Sequence, residues 1–268
     1  MNRTELRHAV EAAVTAAGMA VMNVYAHGTE VQLKADQSPL TAADLTSHES
    51  LVSSLSTMTP GVPVVSEEGG LPPAEERAAW AAYWLIDPLD GTKEFLARNG
   101  EFTVNVALIE HGRPTLGVVG VPATQVLFSG DVEQRIADRV SASGDRRRLS
   151  SRTYAGSRPV VVASRRHGGA KLAEALARLE RAEGELEIRN IGSSLKFCLL
   201  AEGQADVYPR LAQTSEWDTA AAHAVLEAAG GAVMQLTGTP LIYNKPDILN
   251  PPFVAAADAN AGWVRWFQ

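Results

Sequence analysis

The sequence predicts a protein of mixed class, with an α+β first half and an α/β second half. In the first half, segments with the two-residue alternation of strands follow one another directly, as at 102–108 and 115–121. In the second half, apolar strands alternate with helices, beginning with a strand at 159–164 and a helix at 169–181. Residues 132–156 are polar and rich in Arg and Ser, which predicts a boundary near residue 155 and domains 1–155 and 156–268.

The first half opens with an amphipathic helix, because Leu6, Val10, Val14, Ala17 and Val21 recur at helical spacing. The elements predicted after it are a strand at 31–34, a helix opened by 38–44 and running to about residue 58, strands at 62–65, 84–86 and 102–108, and a hairpin of 115–121 with 125–128. We expect the Asp-Pro step at 87–88 to end the strand at 84–86, because proline stops ladder pairing.

After the strand at 159–164 and the helix at 169–181, the second half continues with a strand at 187–191, a helix from 192–194 to about residue 202, a strand at 205–208 and a helix at 219–229. Gly230 and Gly231 close the last helix, as glycine commonly does at a helix C-terminus. The basic run at 146–148 is typical of a solvated surface segment.

Charge and cysteine content exclude several classes of protein. The net charge of −7 argues against nucleic-acid binding, which needs an excess of Lys and Arg on one face. Cys198 is the only cysteine, so an internal disulfide is excluded, and its apolar neighbours indicate a buried residue rather than a nucleophile. Glu11 interrupts the N-terminal apolar stretch, which therefore differs from a signal peptide, and we find no apolar run of about 20 residues that would span a membrane. We therefore expect a cytoplasmic protein.

The segment 84–95 holds the most informative motif, because it places Asp87 and Asp90 three residues apart in a turn after a strand. Gly91 permits an unusual backbone angle, so both carboxylates can converge on one point. Hard cations such as Mg²⁺ prefer such oxygen ligands, and a helix starting at Gly91 and Thr92 would offer free N–H groups to a phosphate. Two consecutive turns with Thr92 as a helix cap explain the same residues equally well.

Three further acidic positions are ambiguous when each is taken alone. Glu67 and its neighbour Glu68 follow a strand, where an acidic pair is usually solvated. Asp44 completes a capping box with Thr41. Asp218 precedes the helix at 219–229 and suits its positive end.

Taken together, these segments resemble the inositol monophosphatase superfamily of Mg²⁺-dependent phosphatases. The matching segments are 67–68, 87–92 and 217–221, and the resemblance extends over nearly the whole chain. Within the superfamily, the segments 91–105, 192–198 and 208–210 are most similar to bacterial 3′(2′),5′-bisphosphate nucleotidases. Glu94 supports this branch, because inositol monophosphatases more often carry Asn at that position.

The resemblance implies a layered α/β/α/β/α sandwich with the site between its two halves, and direct hydrolysis by a metal-activated water without a phosphoenzyme. The implied ligands of two or three Mg²⁺ ions are Glu67, Asp87, the main-chain carbonyl of Leu89, Asp90 and Asp218. The implied catalytic residues are Asp44, Thr92 and Glu67, with Asp44 orienting the hydroxyl of Thr92 toward the attacking water.

The substrate that the resemblance implies is 3′-phosphoadenosine 5′-phosphate, cleaved to AMP and phosphate. The expected substrate contacts are Glu67, Leu89, Asp90, Gly91, Thr92, Ser193, Lys196 and Asp218. Ser193 and Lys196 are our candidates for the remaining phosphate, although Gly-Ser-Ser at 192–194 also fits an ordinary helix start. Arg210 and Lys34 are weaker candidates, because a lone basic residue is usually solvated.

Two alternatives stay open at this point. A phosphatase of the same superfamily acting on inositol monophosphate or fructose 1,6-bisphosphate would keep every metal ligand and differ in the recognition loops. A noncatalytic metal- or nucleotide-binding protein is the other alternative. The sequence leaves open the oligomeric state, lithium sensitivity and peripheral contact with the inner membrane.

Overall fold

The computed structural model describes residues 1–28, 31–34, 39–164 and 169–268. Its α-helices are α1 (Arg3–His27), α2 (Ala42–Met58), α3 (Ala74–Ala78), α4 (Thr92–Leu96), α5 (Gly169–Glu183), α6 (Leu195–Ala201) and α7 (Ala220–Ala228). Its strands are β1 (Val31–Leu33), β2 (Pro39–Thr41), β3 (Val64–Ser66), β4 (Ala82–Asp90), β5 (Thr103–Glu110), β6 (Arg113–Val121), β7 (Val126–Asp131), β8 (Ile136–Val140), β9 (Arg146–Arg148), β10 (Val160–Ala163), β11 (Glu187–Asn190), β12 (Val207–Arg210), β13 (Thr214–Ser215), β14 (Ala232–Gln235), β15 (Leu249–Asn250) and β16 (Phe253–Ala256). Short 3₁₀ helices lie at Pro122–Thr124, Ala259–Ala261 and Trp263–Trp266.

A seven-stranded sheet organises the first half, with the strand order β3-β4-β5-β6-β7-β8-β9. β3 and β4 are parallel, and every later pair is antiparallel. The sequence interpretation placed no strand in the polar segment 132–156, and β8 and β9 extend the sheet there. β9 consists of three exposed arginines, so the basic run is on the surface as predicted, and its charges occupy an edge strand.

A five-stranded mixed sheet organises the second half, with the order β11-β10-β12-β16-β14. β10 pairs in parallel with β11 and β12, as the alternation of strands and helices predicts. β16 pairs antiparallel with β12 and with β14, and the sequence interpretation missed both β14 and β16. The predicted division at residue 155 falls between the two sheets, since β9 ends at Arg148 and β10 begins at Val160, and it stays a prediction.

The helices and sheets form the layered sandwich that the resemblance implies. α1 and α2 pack on one face of the seven-stranded sheet, and α7 packs on its other face against β5, β6 and β7. α6 and α7 also contact the second sheet, whose outer face is covered by α5 and the 3₁₀ helix at Trp263–Trp266. The α/β/α/β/α prediction is therefore confirmed, and one face of each sheet is directed toward the central helical layer.

Glycines in the large sheet let α7 approach closely. A Cβ atom added at Gly117 would lie 2.1 Å from the main-chain oxygen of Ala221, and one added at Gly130 would lie 2.6 Å from Cα of Val225. The sheet can therefore pack directly against the helix backbone only because these positions lack side chains.

α1 is the amphipathic helix predicted for the N-terminus. It is long and apolar enough to cross a membrane by length and composition, yet Val10, Val14 and Val21 are buried against the rest of the fold. Arg7 and Glu11 on the same helix are also buried and bind Ser129 of β7. These contacts are those of a helix packed in the core of a folded domain.

Candidate active site

The motif at 87–92 lies at an irregularity near the end of β4. The strand continues to Asp90, so the prediction that the Asp-Pro step at 87–88 ends it is wrong, and its register against β5 shifts between Asp87 and Asp90. The shift accommodates the proline without ending the strand, as bulges do. Gly91 follows with φ 91°, a left-handed conformation that suits glycine.

Three carboxylates from different parts of the chain meet beside this motif. Ligand oxygens of Glu67, Asp87 and Asp218 all lie within 4.8 Å of one another. Glu67 follows β3, and Asp218 is fixed in the turn before α7, where its Oδ2 accepts the N–H of Ser215 at 2.8 Å. Asp87 is 1% exposed, and its Oδ1 accepts the N–H of Leu89 at 3.0 Å.

Electrostatics make this cluster a site for a cation. Burial, and next the charge of Glu67, raise the pKa of Asp87 well above its ordinary value. Burial and the neighbouring Asp90 raise the pKa of Asp218 to about 8. Burial raises the pKa of Asp90 to about 6, although Lys196 favours its charged form. Because like charges in a dry site repel, a divalent cation with oxygen ligands would stabilise this arrangement, so the residues fit Mg²⁺.

Asp44 and Thr92 are in contact, as the resemblance predicts. The hydroxyl of Thr92 lies 3.3 Å from Oδ1 of Asp44 and 3.4 Å from the carbonyl oxygen of Leu89. The other oxygen of Asp44 accepts the N–H and the hydroxyl of Thr41, each at 2.7 Å, which forms the predicted capping box. The structural and the functional interpretations of Asp44 are therefore compatible, since each uses a different oxygen.

Lys34 contacts the acidic pair, which sequence spacing did not indicate. Its Nζ lies 2.7 Å from Oε1 of Glu67 and 2.6 Å from Oε1 of Glu68. Burial alone would lower the pKa of Lys34, but the two carboxylates outweigh it and raise the pKa. Lys34 is therefore paired with two carboxylates, and its role as a phosphate ligand stays a prediction.

A cavity of about 310 Å³ adjoins the carboxylates and shares Asp90 and Asp218 with them. Its wall also includes Gly91, Thr92, Glu94, Ser193, Lys196, Tyr208 and Arg210. Arg210 is held at its rim by the carbonyl oxygens of Ala212 and Gln213.

Lys196 and Ser193, which also line this wall, are the main sequence candidates for the phosphate that is not cleaved. Lys196 is 5% exposed, and its Nζ lies 2.5 Å from the carbonyl oxygen of Ser193. Burial lowers the pKa of Lys196 to about 8, against the opposing effect of Asp90. Ser193 has φ 47°, and its Oγ is buried without a hydrogen-bond partner among the described residues. A buried cation and a free hydroxyl in one cavity suit an anionic ligand.

Most site residues that the sequence singled out lie in the acidic cluster, in the Asp44–Thr92 pair or in the cavity wall. Leu89 lies beside them, with its carbonyl oxygen next to the Thr92 hydroxyl, and Lys34 pairs with Glu67. Cys198 is buried behind this region, and burial raises the pKa of its thiol, which fits the predicted structural role. Sequence reasoning missed the buried polar group of Thr103, Asn105 and Ser194, which contacts Asp90. The signal was present, since Thr103 and Asn105 are polar residues on one face of an otherwise apolar strand.

Comparison with known proteins gives matches over almost the whole chain. The model of the inositol monophosphatase family matches residues 2–264. The 3′(2′),5′-bisphosphate nucleotidase CysQ of Escherichia coli strain K12 is 50% identical over 242 residues, covering 88% of this chain and 94% of the relative. The crystal structure of CysQ from Bacteroides thetaiotaomicron is 40% identical, with a TM-score of 0.82 over 93% of this chain and 96% of the other. An IMPase of Thermotoga maritima is 20% identical with a TM-score of 0.79, covers all of this chain and 97% of the other, and shares the fold.

Proposed function

Since the chain belongs to the inositol monophosphatase family, we propose that it is a metal-dependent 3′(2′),5′-bisphosphate nucleotidase that converts 3′-phosphoadenosine 5′-phosphate to AMP and phosphate. The observation that carries the proposal is the placement of a partly buried carboxylate cluster next to a cavity that holds a buried lysine. The 50% identity to a relative with this activity supports the choice of substrate class.

Two or three Mg²⁺ ions would be held by Glu67, Asp87, Asp90, Asp218 and the carbonyl oxygen of Leu89. When bound, Mg²⁺ supplies Lewis acidity at the phosphoryl group and acidity to water. Glu67 comes from the loop after β3, Asp87 and Asp90 from β4, and Asp218 from the turn before α7. Residues of both halves of the chain therefore contribute to one site, which is consistent with catalysis between them.

Thr92 and Asp44 would position the attacking water. If the Thr92 hydroxyl donates to Oδ1 of Asp44, its oxygen is free to accept a hydrogen bond from that water. Burial raises the pKa of Asp44, so its carboxylate accepts a proton more readily than an exposed aspartate. Hydrolysis forms a bond between the water oxygen and phosphorus and breaks the bond from phosphorus to the ribose 3′ oxygen, which leaves with a proton.

Lys196 and Ser193 would bind the phosphate that is not cleaved. Lys196 has only carbonyl oxygens as hydrogen-bond partners among the described residues, so its charge is available to an anion in the cavity. Ser193, whose hydroxyl has no hydrogen-bond partner among the described residues, would donate it to the same phosphate. Glu94 and Arg210 line the cavity and would contact other parts of the substrate.

The test is phosphate release from 3′-phosphoadenosine 5′-phosphate and from inositol 1-phosphate, with Mg²⁺ or with EDTA, using the wild type, Asp90→Asn and Lys196→Met. We expect Mg²⁺-dependent turnover that favours the nucleotide, is lost in Asp90→Asn and shows a raised KM in Lys196→Met. Preference for inositol 1-phosphate would keep the metal site and overturn the nucleotidase assignment. Absence of turnover with both substrates would favour a noncatalytic binding protein.

The cytoplasmic location stays a prediction, as does peripheral contact with the inner membrane. The small-molecule phosphate ester is the partner that the proposal requires.

A further inference from the structure

A closed ring of hydrogen bonds lies directly behind Asp90. The hydroxyl of Ser194 donates to Oδ1 of Asn105 at 2.7 Å, and Nδ2 of Asn105 donates to Oγ1 of Thr103 at 3.2 Å. Oγ of Ser194 and Oγ1 of Thr103 lie 2.9 Å apart. Because the one proton of Ser194 is used toward Asn105, Thr103 must donate in this last contact, so all three bonds run in one direction.

The ring is dry and joins the two halves of the chain. Thr103 is 0%, Asn105 1% and Ser194 2% exposed. Thr103 and Asn105 belong to β5 of the large sheet, whereas Ser194 immediately precedes α6 in the second half. Replacing a fully hydrogen-bonded polar group by apolar side chains of the same shape can leave stability nearly unchanged. What the ring adds beyond stability is therefore a fixed orientation of the residues that form it.

The ring orients the main-chain N–H of Ser194 toward Asp90. The N–H of Ser194 lies 2.6 Å from Oδ2 of Asp90, and the Thr103 hydroxyl lies 3.5 Å from the same oxygen. Because the ring uses the Thr103 proton toward Ser194, the N–H of Ser194 is the donor that takes up Oδ2, and Oδ1 has no hydrogen-bond partner among the described residues. The hydroxyl of Ser194 is fixed by Asn105, so the direction of its N–H is fixed as well.

A second contact holds the segment 192–194 in place at Gly192, two residues before Ser194. The N–H of Gly192 donates to Oε2 of Glu101 at 2.8 Å, and a Cβ atom at Gly192 would lie 2.9 Å from the carbonyl oxygen of Glu101. Ser193 lies between the two docked residues, and Lys196 follows in the first turn of α6. The cavity groups of the second half are thus held at a fixed distance from Asp90.

We propose that Asn105, together with Thr103 and Ser194, positions Asp90 and the segment 192–194, and thereby sets both the affinity for Mg²⁺ and the KM for the bisphosphate. The inference rests on the proposed function, in which Asp90 is a metal ligand. Neither Asn105 nor Thr103 need touch the substrate for this role, so both are positioning residues. Mutation of a residue that hydrogen-bonds to a metal ligand commonly lowers metal affinity by about 10- to 100-fold.

The experiment measures Mg²⁺ dissociation constants by isothermal titration calorimetry without substrate, and KM at saturating Mg²⁺, for Asn105→Leu and Thr103→Val. We expect about 10-fold weaker Mg²⁺ binding in both variants and a raised KM. Thr103→Ser keeps the hydroxyl and should bind Mg²⁺ like the wild type. Ser129→Ala removes a buried hydroxyl from the same sheet, away from the site, and should lower the melting temperature without changing Mg²⁺ affinity.

Mg²⁺ affinity within twofold of the wild type in a folded Thr103→Val would overturn the inference. If Asn105→Leu fails to fold, the nearly isosteric Thr103→Val decides the question alone. The proposed function fails separately, namely if the wild type does not bind Mg²⁺ or if Asp90→Asn binds it equally well.

Discussion

Nζ of Lys34 lies 2.7 Å from Oε1 of Glu67, so a cation of the chain itself pairs with a carboxylate that the proposed function assigns to Mg²⁺. The same ammonium group lies 2.6 Å from Glu68, which gives it a second partner. Lys34 can therefore keep one ion pair while Glu67 turns toward a metal. Under the proposed function, Lys34 and Mg²⁺ therefore compete for the charge of Glu67.

This competition predicts that Lys34→Met increases Mg²⁺ affinity. Removing a partly exposed positive charge next to Glu67 should lower the Mg²⁺ dissociation constant by ~5-fold, which corresponds to the ~1 kcal/mol of such a pair. The measurement is calorimetric titration at low ionic strength, with the exposed Lys171→Met on α5 as the matched control. Unchanged or weaker Mg²⁺ binding in Lys34→Met would contradict the competition.

A second prediction concerns Glu11, whose pKa is lowered. Burial opposes this shift, but the hydrogen bond from Arg146 and the hydroxyl of Ser129 outweigh it. A carboxylate with a lowered folded pKa stabilises the protein above its ordinary pKa, near 4.5, and that stability is lost as the pH falls below this value. Glu11→Gln should therefore cost ~2 kcal/mol at pH 7, because Arg7 and Arg146 lose the charge of Glu11 and keep that of Asp138.

Thermal or urea unfolding at pH 7 and at about pH 3.5 checks this second prediction, and the difference between Glu11→Gln and wild type should shrink at the lower pH. The exposed Glu75→Gln on α3 serves as control and should behave like the wild type at both values. An equal loss at pH 7 and pH 3.5 would show that packing, rather than charge, makes Glu11 important.

The motif at 87–92 could be predicted because it is local: two carboxylates three residues apart beside a glycine form a short pattern that is visible in the sequence alone. The course of β4 could not be predicted, since proline ends a regular ladder and only the partner strand β5 shows that a register shift accommodates Pro88. β9 was missed for a related reason. Its three arginines have no apolar alternation, and they form a strand because β8 offers an edge and because Arg146 pairs with Glu11 of α1.

Contacts between residues that lie far apart in the sequence could not be predicted either. The pairing of Lys34 with Glu67 spans 33 residues, and the contact of Ser194 with Asn105 spans 89, so no spacing rule indicates either. The proposed acidic ligands could be named across similar separations only because three short segments together resemble a family. Charged and polar residues that carry no such pattern acquire their role from tertiary packing alone.

A third prediction tests the close contact between the large sheet and α7. Gly117→Ala places a Cβ atom 2.1 Å from the carbonyl oxygen of Ala221, and a helix backbone does not yield as a side chain does. We expect a loss of ~3 kcal/mol or more. Gly18→Ala is the matched control, because Gly18 lies within α1 and its added Cβ atom would lie at an ordinary 3.5 Å from Pro122. This substitution should stabilise the helix by ~1 kcal/mol. Chemical denaturation measures the change in the free energy of unfolding for both variants, which should be a loss for Gly117→Ala and a gain for Gly18→Ala. A Gly117→Ala variant as stable as the wild type would refute this packing.

The last prediction concerns the pH dependence of substrate binding. Burial lowers the pKa of Lys196 to about 8, so its ammonium group is charged below that pH and neutral above it. Because the charged form attracts phosphate, KM for the bisphosphate should rise as the pH passes through about 8, while kcat changes less. KM measured from pH 6.5 to about 9.5 should be high and nearly flat in Lys196→Met. A rise of KM that persists in Lys196→Met would assign the titration to another group, and a flat wild-type profile would remove Lys196 from phosphate binding.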